Sequence, residues 1–170
     1  MKYRALVVIS VVAALLAVSC KKTPAPFRNV TVGDPLPPFS VVMSDGSVVT
    51  DGSLKGGPSV LVFFSPGCPD CKWQFDELQA FVEEYPSMCR IVAVSRGLAG
   101  LVPGYMEENG YTFPWSAQED RSLYERFSDR GVPSMYVSDA DGIVRFVHYD
   151  DSMAGRETLA DEVSSIKNGR

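Results

Sequence analysis

Val60-Leu-Val-Phe-Phe-Ser-Pro-Gly-Cys68-Pro-Asp-Cys71-Lys-Trp-Gln-Phe-Asp-Glu-Leu78 is the stretch that decides how the rest of the chain reads. It opens with an uninterrupted apolar and aromatic run, the pattern of a strand buried on both faces. Ser65-Pro66-Gly67 ends the run in a turn. Beyond the cysteines, Phe75, Leu78, Val82 and Tyr85 recur at helical spacing with Cys71 on the same face, and Pro86 closes that helix. Two cysteines separated by two residues at a strand-to-helix junction are a redox motif. The spacing seats Cys68 just ahead of the helix and Cys71 one turn inside it, close enough to bridge. The unpaired amides and positive dipole end of the helix favour negative charge on the Cys68 sulfur. A thiolate is the attacking species in disulfide exchange, and Cys71 is placed to resolve the mixed disulfide that results.

Upstream, Ser40–Met43 and Ser47–Thr50 are two short β-type runs around Asp45-Gly46, which predicts a hairpin. Residues 51–58 form a turn-rich link to the central strand at Ser59–Phe64. Downstream, Arg90–Ser95 is a second buried strand. A short or irregular helix is expected over residues 103–109, a short strand over 111–117, and a helix over 120–128 with Leu123, Tyr124 and Phe127 inward. Gly131-Val132-Pro133 precedes Ser134–Ser138 and Ile143–His148, a hairpin with an Asp141-Gly142 turn. A final helix over about 155–166 buries Leu159, Val163 and Ile166. No internal repeat is present. The predicted fold is α/β with one domain, residues 32–170.

The chain has 170 residues, 45% of them hydrophobic and 11% aromatic, which suits one packed core. Net charge is −5 and falls to −7 without residues 1–19, which hold Lys2 and Arg4 and no acid. An acidic body without a basic stripe argues against nucleic acid as a partner. Four cysteines are too few to staple a chain of this length, and a single histidine excludes a multi-histidine metal site within one chain.

The N-terminus reads as an address. Met1–Arg4 is basic, Ala5–Val18 is apolar apart from Ser10, and the segment ends Leu16-Ala-Val-Ser-Cys20. That is too short for a transmembrane helix, which needs about 20 residues, and suits a signal peptide. Leu16–Cys20 resembles a bacterial lipobox, with Ala17 where a larger aliphatic is usual. The expectation is a signal peptide over 1–19, a lipid on Cys20 and a proline-bearing tether over 20–31, placing the domain in the bacterial cell envelope on the periplasmic side. A simple secreted form and an uncleaved anchor are the alternatives. All three lie where thiol–disulfide chemistry is active.

The order hairpin, strand, Cys-x-x-Cys helix, strand, helix, Val-Pro, hairpin, helix resembles the thioredoxin fold. More narrowly it is similar to the TlpA/ResA-type membrane-anchored thiol–disulfide oxidoreductases, within the redoxin superfamily. The resemblance covers residues 32–168 and rests on Gly33-Asp34 with Pro37 and Phe39, the Phe63–Cys71 block, Gly131-Val132-Pro133 and Asp141-Gly142. It implies a mixed sheet flanked by helices, no cofactor, and protein disulfides or dithiols as substrates. It also implies an upstream membrane electron donor, and reduction of exported proteins as the direction. In the family, the proline matching Pro133 is cis beside the cysteines, so Val132 would pair with an extended substrate segment. Trp73 is a candidate contact for that partner or a shield over the site.

Three departures from the family bear on chemistry. The intervening dipeptide is Pro69-Asp70, where relatives place proline before the second cysteine. Pro69 suits a first helical turn, while Asp70 sets a negative charge against the dipole, so both are expected to modulate the site. Val62 stands where thioredoxins bury an acid, and Gln74 stands where many relatives carry one. The proton acceptor is therefore unassigned, with Asp76 and Glu77 near in sequence but expected on a solvated face. Lys72 reads as solvent-facing, His148 as structural or exposed, and Cys89 as a small buried residue. Two other activities compete. A peroxiredoxin-type thiol peroxidase would need a proline and a Thr or Ser at seven and three residues before the cysteine, and the chain has Leu61 and Ser65. A copper-binding thioredoxin-fold protein would use two thiolates, with His148 the sole histidine available.

Overall fold

The computed structural model describes residues 28–169. The leader, Cys20 and most of the tether lie outside the described residues. A two-stranded hairpin, β1 (Ser40–Val42) and β2 (Val48–Thr50), precedes a five-stranded mixed sheet. That sheet consists of β3 (Ser59–Phe64), β4 (Arg90–Ser95), β5 (Trp115–Ser116), β6 (Ser134–Ser138) and β7 (Val144–His148), in the order β5-β4-β3-β6-β7. The helices are α1 (Pro69–Glu84), α2 (Val102–Glu108) and α3 (Arg156–Lys167). β3 runs parallel to β4 and antiparallel to β6. Every residue of β3 is buried, as its apolar run predicts for a central strand.

Neighbouring strand residues point to opposite faces, and Phe63 and Phe64 show what covers each. Phe64 packs on Phe75 of α1 and Tyr105 of α2. Phe63 packs on Tyr124, Phe127 and Tyr136. The steps β3–α1–β4 and β4–α2–β5 move in the same direction across the sheet, so right-handed crossovers place α1 and α2 on one face. α3 joins them by packing on α1. Both sheet edges are covered, which blunts their tendency to pair with other chains. Gly33 and Asp34 hydrogen-bond to Val144 of β7, and the hairpin meets β5 through Ser44 N–H to Trp115 O (2.7 Å) and Ser116 Oγ–H to Val42 O (2.6 Å).

Two expected elements are shorter than predicted. Only one 3-10 turn, Tyr124–Arg126, forms within 120–128. So short a segment has little helical stability of its own, and its aromatic anchors decide its path. Tyr124 and Phe127 pack against Phe63, and the Tyr124 hydroxyl is fixed to the following loop. Strand β5 has two residues because Tyr111 and Phe113 turn into the cluster around Phe75 instead. Pro114, which follows them, has no N–H to extend a ladder.

Candidate active site

Three loops meet at one end of the sheet: the turn after β3, the turn after β4 and the loop leading into β6. The parallel β3/β4 and antiparallel β3/β6 pairings dictate this convergence. Gly67, at φ +79°, makes the reversal a side chain would resist and delivers Cys68 to the N-cap of α1. The Cys68 sulfur accepts the Cys71 N–H at 3.3 Å, taking the place of an oxygen cap. Pro69 follows as the first helical residue, where a missing N–H costs nothing. Pro69 and Asp70 are both exposed.

Across the gap, the Cys68 thiol donates to Val132 O at 3.4 Å. The Val132–Pro133 bond is cis, as the resemblance implied, and both residues are buried. Tyr124 holds this loop from beneath, its hydroxyl 2.6 Å from Arg130 O and 2.7 Å from Gly131 O. Ser134 Oγ also donates to Gly131 O at 2.8 Å. The turn carrying Cys68 and the loop carrying Val132 are therefore set independently, and the sulfur and carbonyl face each other.

The two cysteines differ in access. Cys68 is half-buried, whereas Cys71 has no exposed surface. Burial pushes the Cys71 thiol well above its ordinary range and the hydrogen bond with Cys68 adds to this, while a backbone hydrogen bond at Ser65 and, more weakly, the Arg96 charge pull part of the way back. Arg96 follows β4, its N–H bonded to Phe64 O at 2.7 Å and its guanidinium 5.4 Å over the Tyr124 ring. Together with Ser65, Gly97 and Leu98 it lines an open groove of about 590 Å³ beside the cysteine turn. No salt bridge engages Arg96 among the described residues. Arg96 is a half-buried cation that shares this groove with Glu119, Asp120, Arg121 and Glu125.

Trp73 is 43% exposed and lies two residues past Cys71, on the far side of the helix from that buried sulfur. Its ring is open to a partner. Lys72 is committed to Asp76 at 2.9 Å. Asp76 faces solvent on that side, yet it also accepts the Tyr111 hydroxyl at 2.8 Å. Its burial is outweighed by these bonds, and its carboxyl sits below the usual range. Glu77 departs from the solvated face expected for it. Its Oε2 accepts the Arg156 N–H at 2.8 Å and caps α3. Val62 is wholly buried in β3, so that place supplies no ionisable group. Gln74 is also buried, its amide donating to Ala154 O at 2.8 Å and accepting Ala154 N–H at 3.3 Å.

Cys89 lies just before Arg90, which pairs with Ser59, while the cysteine turn follows Phe64 at the other end of β3. About 17 Å of strand separates the two ends. Burial pushes the Cys89 thiol up to about 11. His148 is engaged by Ser152 O and by Glu162. Sequence reading missed Arg96, Tyr105, Tyr111 and Tyr124, which reach the site from three separate segments. The Gly97 break after β4 and the aromatic spacing in 105–113 are the only local signs of them.

Residues 32–147 match the AhpC/TSA family. Among curated relatives, the thiol:disulfide interchange protein DsbE of Pseudomonas aeruginosa is 24% identical over 152 residues, covering 81% of this chain and 78% of that protein. The soluble secreted antigen MPT53 of Mycobacterium tuberculosis is 22% identical over 128 residues, covering 75% and 74%. Among solved structures, a thio-disulfide isomerase from Thermus thermophilus superposes with TM-score 0.65 at 29% identity, covering 82% of this chain and 98% of that one. With its thioredoxin-like sheet and its cysteine pair at the strand-to-helix junction, the chain belongs to the AhpC/TSA family and is a thiol–disulfide oxidoreductase.

Proposed function

We propose that Cys68 and Cys71 carry the exchange, with Cys68 as attacking sulfur and Cys71 as resolving sulfur. The Cys68 thiolate attacks one sulfur of a substrate disulfide, forms a mixed disulfide and releases the other sulfur as a thiolate. Cys71 gives its proton to the first substrate thiolate and attacks Cys68 Sγ, closing the Cys68–Cys71 bond and freeing the second substrate sulfur as a thiolate. Two electrons pass from the pair to the substrate; the reverse sequence oxidises a dithiol. Val132 O, released from the Cys68 thiol, accepts a backbone N–H of an extended substrate segment, and Trp73 contacts the same partner. Pro69 fixes the first turn, and the exposed Asp70 sets a carboxylate beside the entering partner. The observation carrying this reading is the asymmetric pair: an accessible sulfur aimed at a backbone carbonyl, with its partner buried behind it.

The physiological direction is reduction of exported proteins in the bacterial cell envelope. A signal peptide over residues 1–19 directs export, and a lipid on Cys20 with a tether over 20–31 holds the domain at the periplasmic membrane surface, within reach of a membrane electron donor. The apolar leader ending at Cys20 supports this, as do relatives named for interchange and secretion. The test is the reduction potential of the full chain in graded thiol–disulfide buffers. A value near thioredoxin's, about −270 mV, is expected for a reductant, and one near about −120 mV would reverse the direction.

A further inference from the structure

The loop that presents Val132 is gripped from outside by the turn between β7 and α3. The Arg130 guanidinium lies 4.1 Å from the centroid of the Tyr149 ring, and its Nη2 donates to Asp151 Oδ2 at 2.6 Å. Between those two residues, Asp150 Oδ2 sits against Gly131, 2.8 Å from where a Cβ would stand. Three consecutive residues of the turn thus hold two consecutive residues of the loop. The turn is itself fixed. Ser152 N–H donates to Tyr149 O at 3.0 Å, and the buried Tyr149 ring packs edge-on against Tyr136 of β6. Ala154 is bonded to Gln74, one helical turn past Cys71. A closed path therefore runs from the cysteine helix through Gln74, Ala154, the turn and Arg130 to Val132, and back across the 3.4 Å gap to Cys68.

We propose that Arg130 is a positioning residue for polypeptide substrates, setting Val132 O where an extended segment joined through Cys68 presents its backbone N–H. This deepens the reading above and rests on Val132 O pairing with the substrate. Such fixing adds little to the stability of a surface loop, because water serves its free backbone groups and exposed ion pairs contribute little. Its use is preorganisation: an acceptor already in place needs no loop ordering when the partner arrives. Arginine suits the task because its planar fork is oriented by the Tyr149 ring and the Asp151 carboxylate at once. A lysine ammonium would be a point charge on a free stem. The Asp150 contact with Gly131 limits how far the loop can move toward the turn. The Arg130 side chain bonds to Asp151 and not to the cysteines, so its loss leaves the contacts of both sulfurs in place. The device acts on the binding of peptide backbone rather than on sulfur chemistry.

The experiment follows single-turnover reduction of disulfides by the pre-reduced full chain. One substrate is an extended cysteine-containing peptide as its mixed disulfide with a small thiol; the other is bis(2-hydroxyethyl) disulfide, which has no backbone N–H. Arg130→Gln is expected to raise the half-saturation concentration for the peptide about tenfold, the worth of one backbone hydrogen bond, with the limiting rate held within about twofold. The rate with the small disulfide should not change. Arg130→Lys, which keeps the charge but not the fork, should behave as Arg130→Gln. Because the Arg130 side chain is 40% exposed, both variants should keep nearly the unsubstituted unfolding midpoint. Arg145→Gln breaks the ion pair with Asp139 at the far end of the sheet and should leave both substrates unaffected. An unchanged half-saturation concentration in Arg130→Gln, an equal loss with both disulfides, a fully active Arg130→Lys, or the same peptide effect in Arg145→Gln would each overturn the proposal. The underlying reading fails separately. An unsubstituted chain that binds the peptide no better than the same peptide N-methylated beside its cysteine would overturn the pairing at Val132, and the Arg130 role with it.

Discussion

Replacing Gln74 by alanine tests how the site's helix is joined to the rest of the domain. Gln74 lies one turn beyond Cys71, is 1% exposed, and holds both backbone groups of Ala154, just ahead of α3. Ala154 is itself buried, so the substitution strands an N–H and a C=O that water does not readily reach. Each buried group left unpaired costs about 1–3 kcal/mol, giving about 2–6 kcal/mol for Gln74→Ala. That is a large share of a domain's total of about 5–15 kcal/mol. With a urea slope of about 2 kcal/mol/M, the unfolding midpoint should fall by about 1–3 M. Gln74→Met, which keeps bulk but not the bonds, should lose nearly as much. Because Gln74 is committed to Ala154, the pair's potential should move by less than about 30 mV, a tenfold change in the exchange constant. A loss below about 1 kcal/mol in Gln74→Ala would refute the two-bond clamp. A Met variant as stable as the unsubstituted protein would show that packing, not hydrogen bonding, holds this junction.

Two further outcomes follow from placement and charge. Burial lowers the His148 pKa, but the Glu162 hydrogen bond and charge outweigh it and the net shift is upward. Its contribution is therefore complete below the unfolded-state value of about 6.5 and is lost as pH rises through the higher folded value. Urea titrations from about pH 5.5 to 8.5 should show a stability difference between the unsubstituted chain and His148→Gln that shrinks with rising pH; a constant difference would contradict the pairing. Cys89→Ala should leave the redox titration of the Cys68–Cys71 pair unchanged, since Cys89 sits at the opposite end of β4. A shifted titration would mean that a third thiol communicates with the site.

What was legible in the sequence was what local chemistry dictates. The β3 run, the Cys-x-x-Cys junction, Pro69 at the helix start, Pro86 at its end and the Asp141-Gly142 turn each carry their geometry in a few adjacent residues. Cys68 as N-cap follows from that local grammar, and Val132-Pro133 came from the family resemblance. Elements governed by distant anchors were not legible. The 120–128 segment has helical spacing, but Tyr124 and Phe127 are claimed by Phe63 and by the loop before β6. Glu77 looks like any helix-surface acid until α3 brings the Arg156 N–H to it, 79 residues along the chain. Arg96 and Tyr105 likewise become site residues only when β4 and α2 are laid beside β3 and α1.

The most direct test of the central claim is to trap the first intermediate. Full-length Cys71→Ser protein is incubated with oxidised glutathione and examined by intact mass and peptide mapping. The account predicts one stable glutathione adduct, on Cys68, that the unsubstituted chain resolves to the Cys68–Cys71 disulfide. An adduct on Cys89, or no adduct while substrate disulfides are still exchanged, would contradict it.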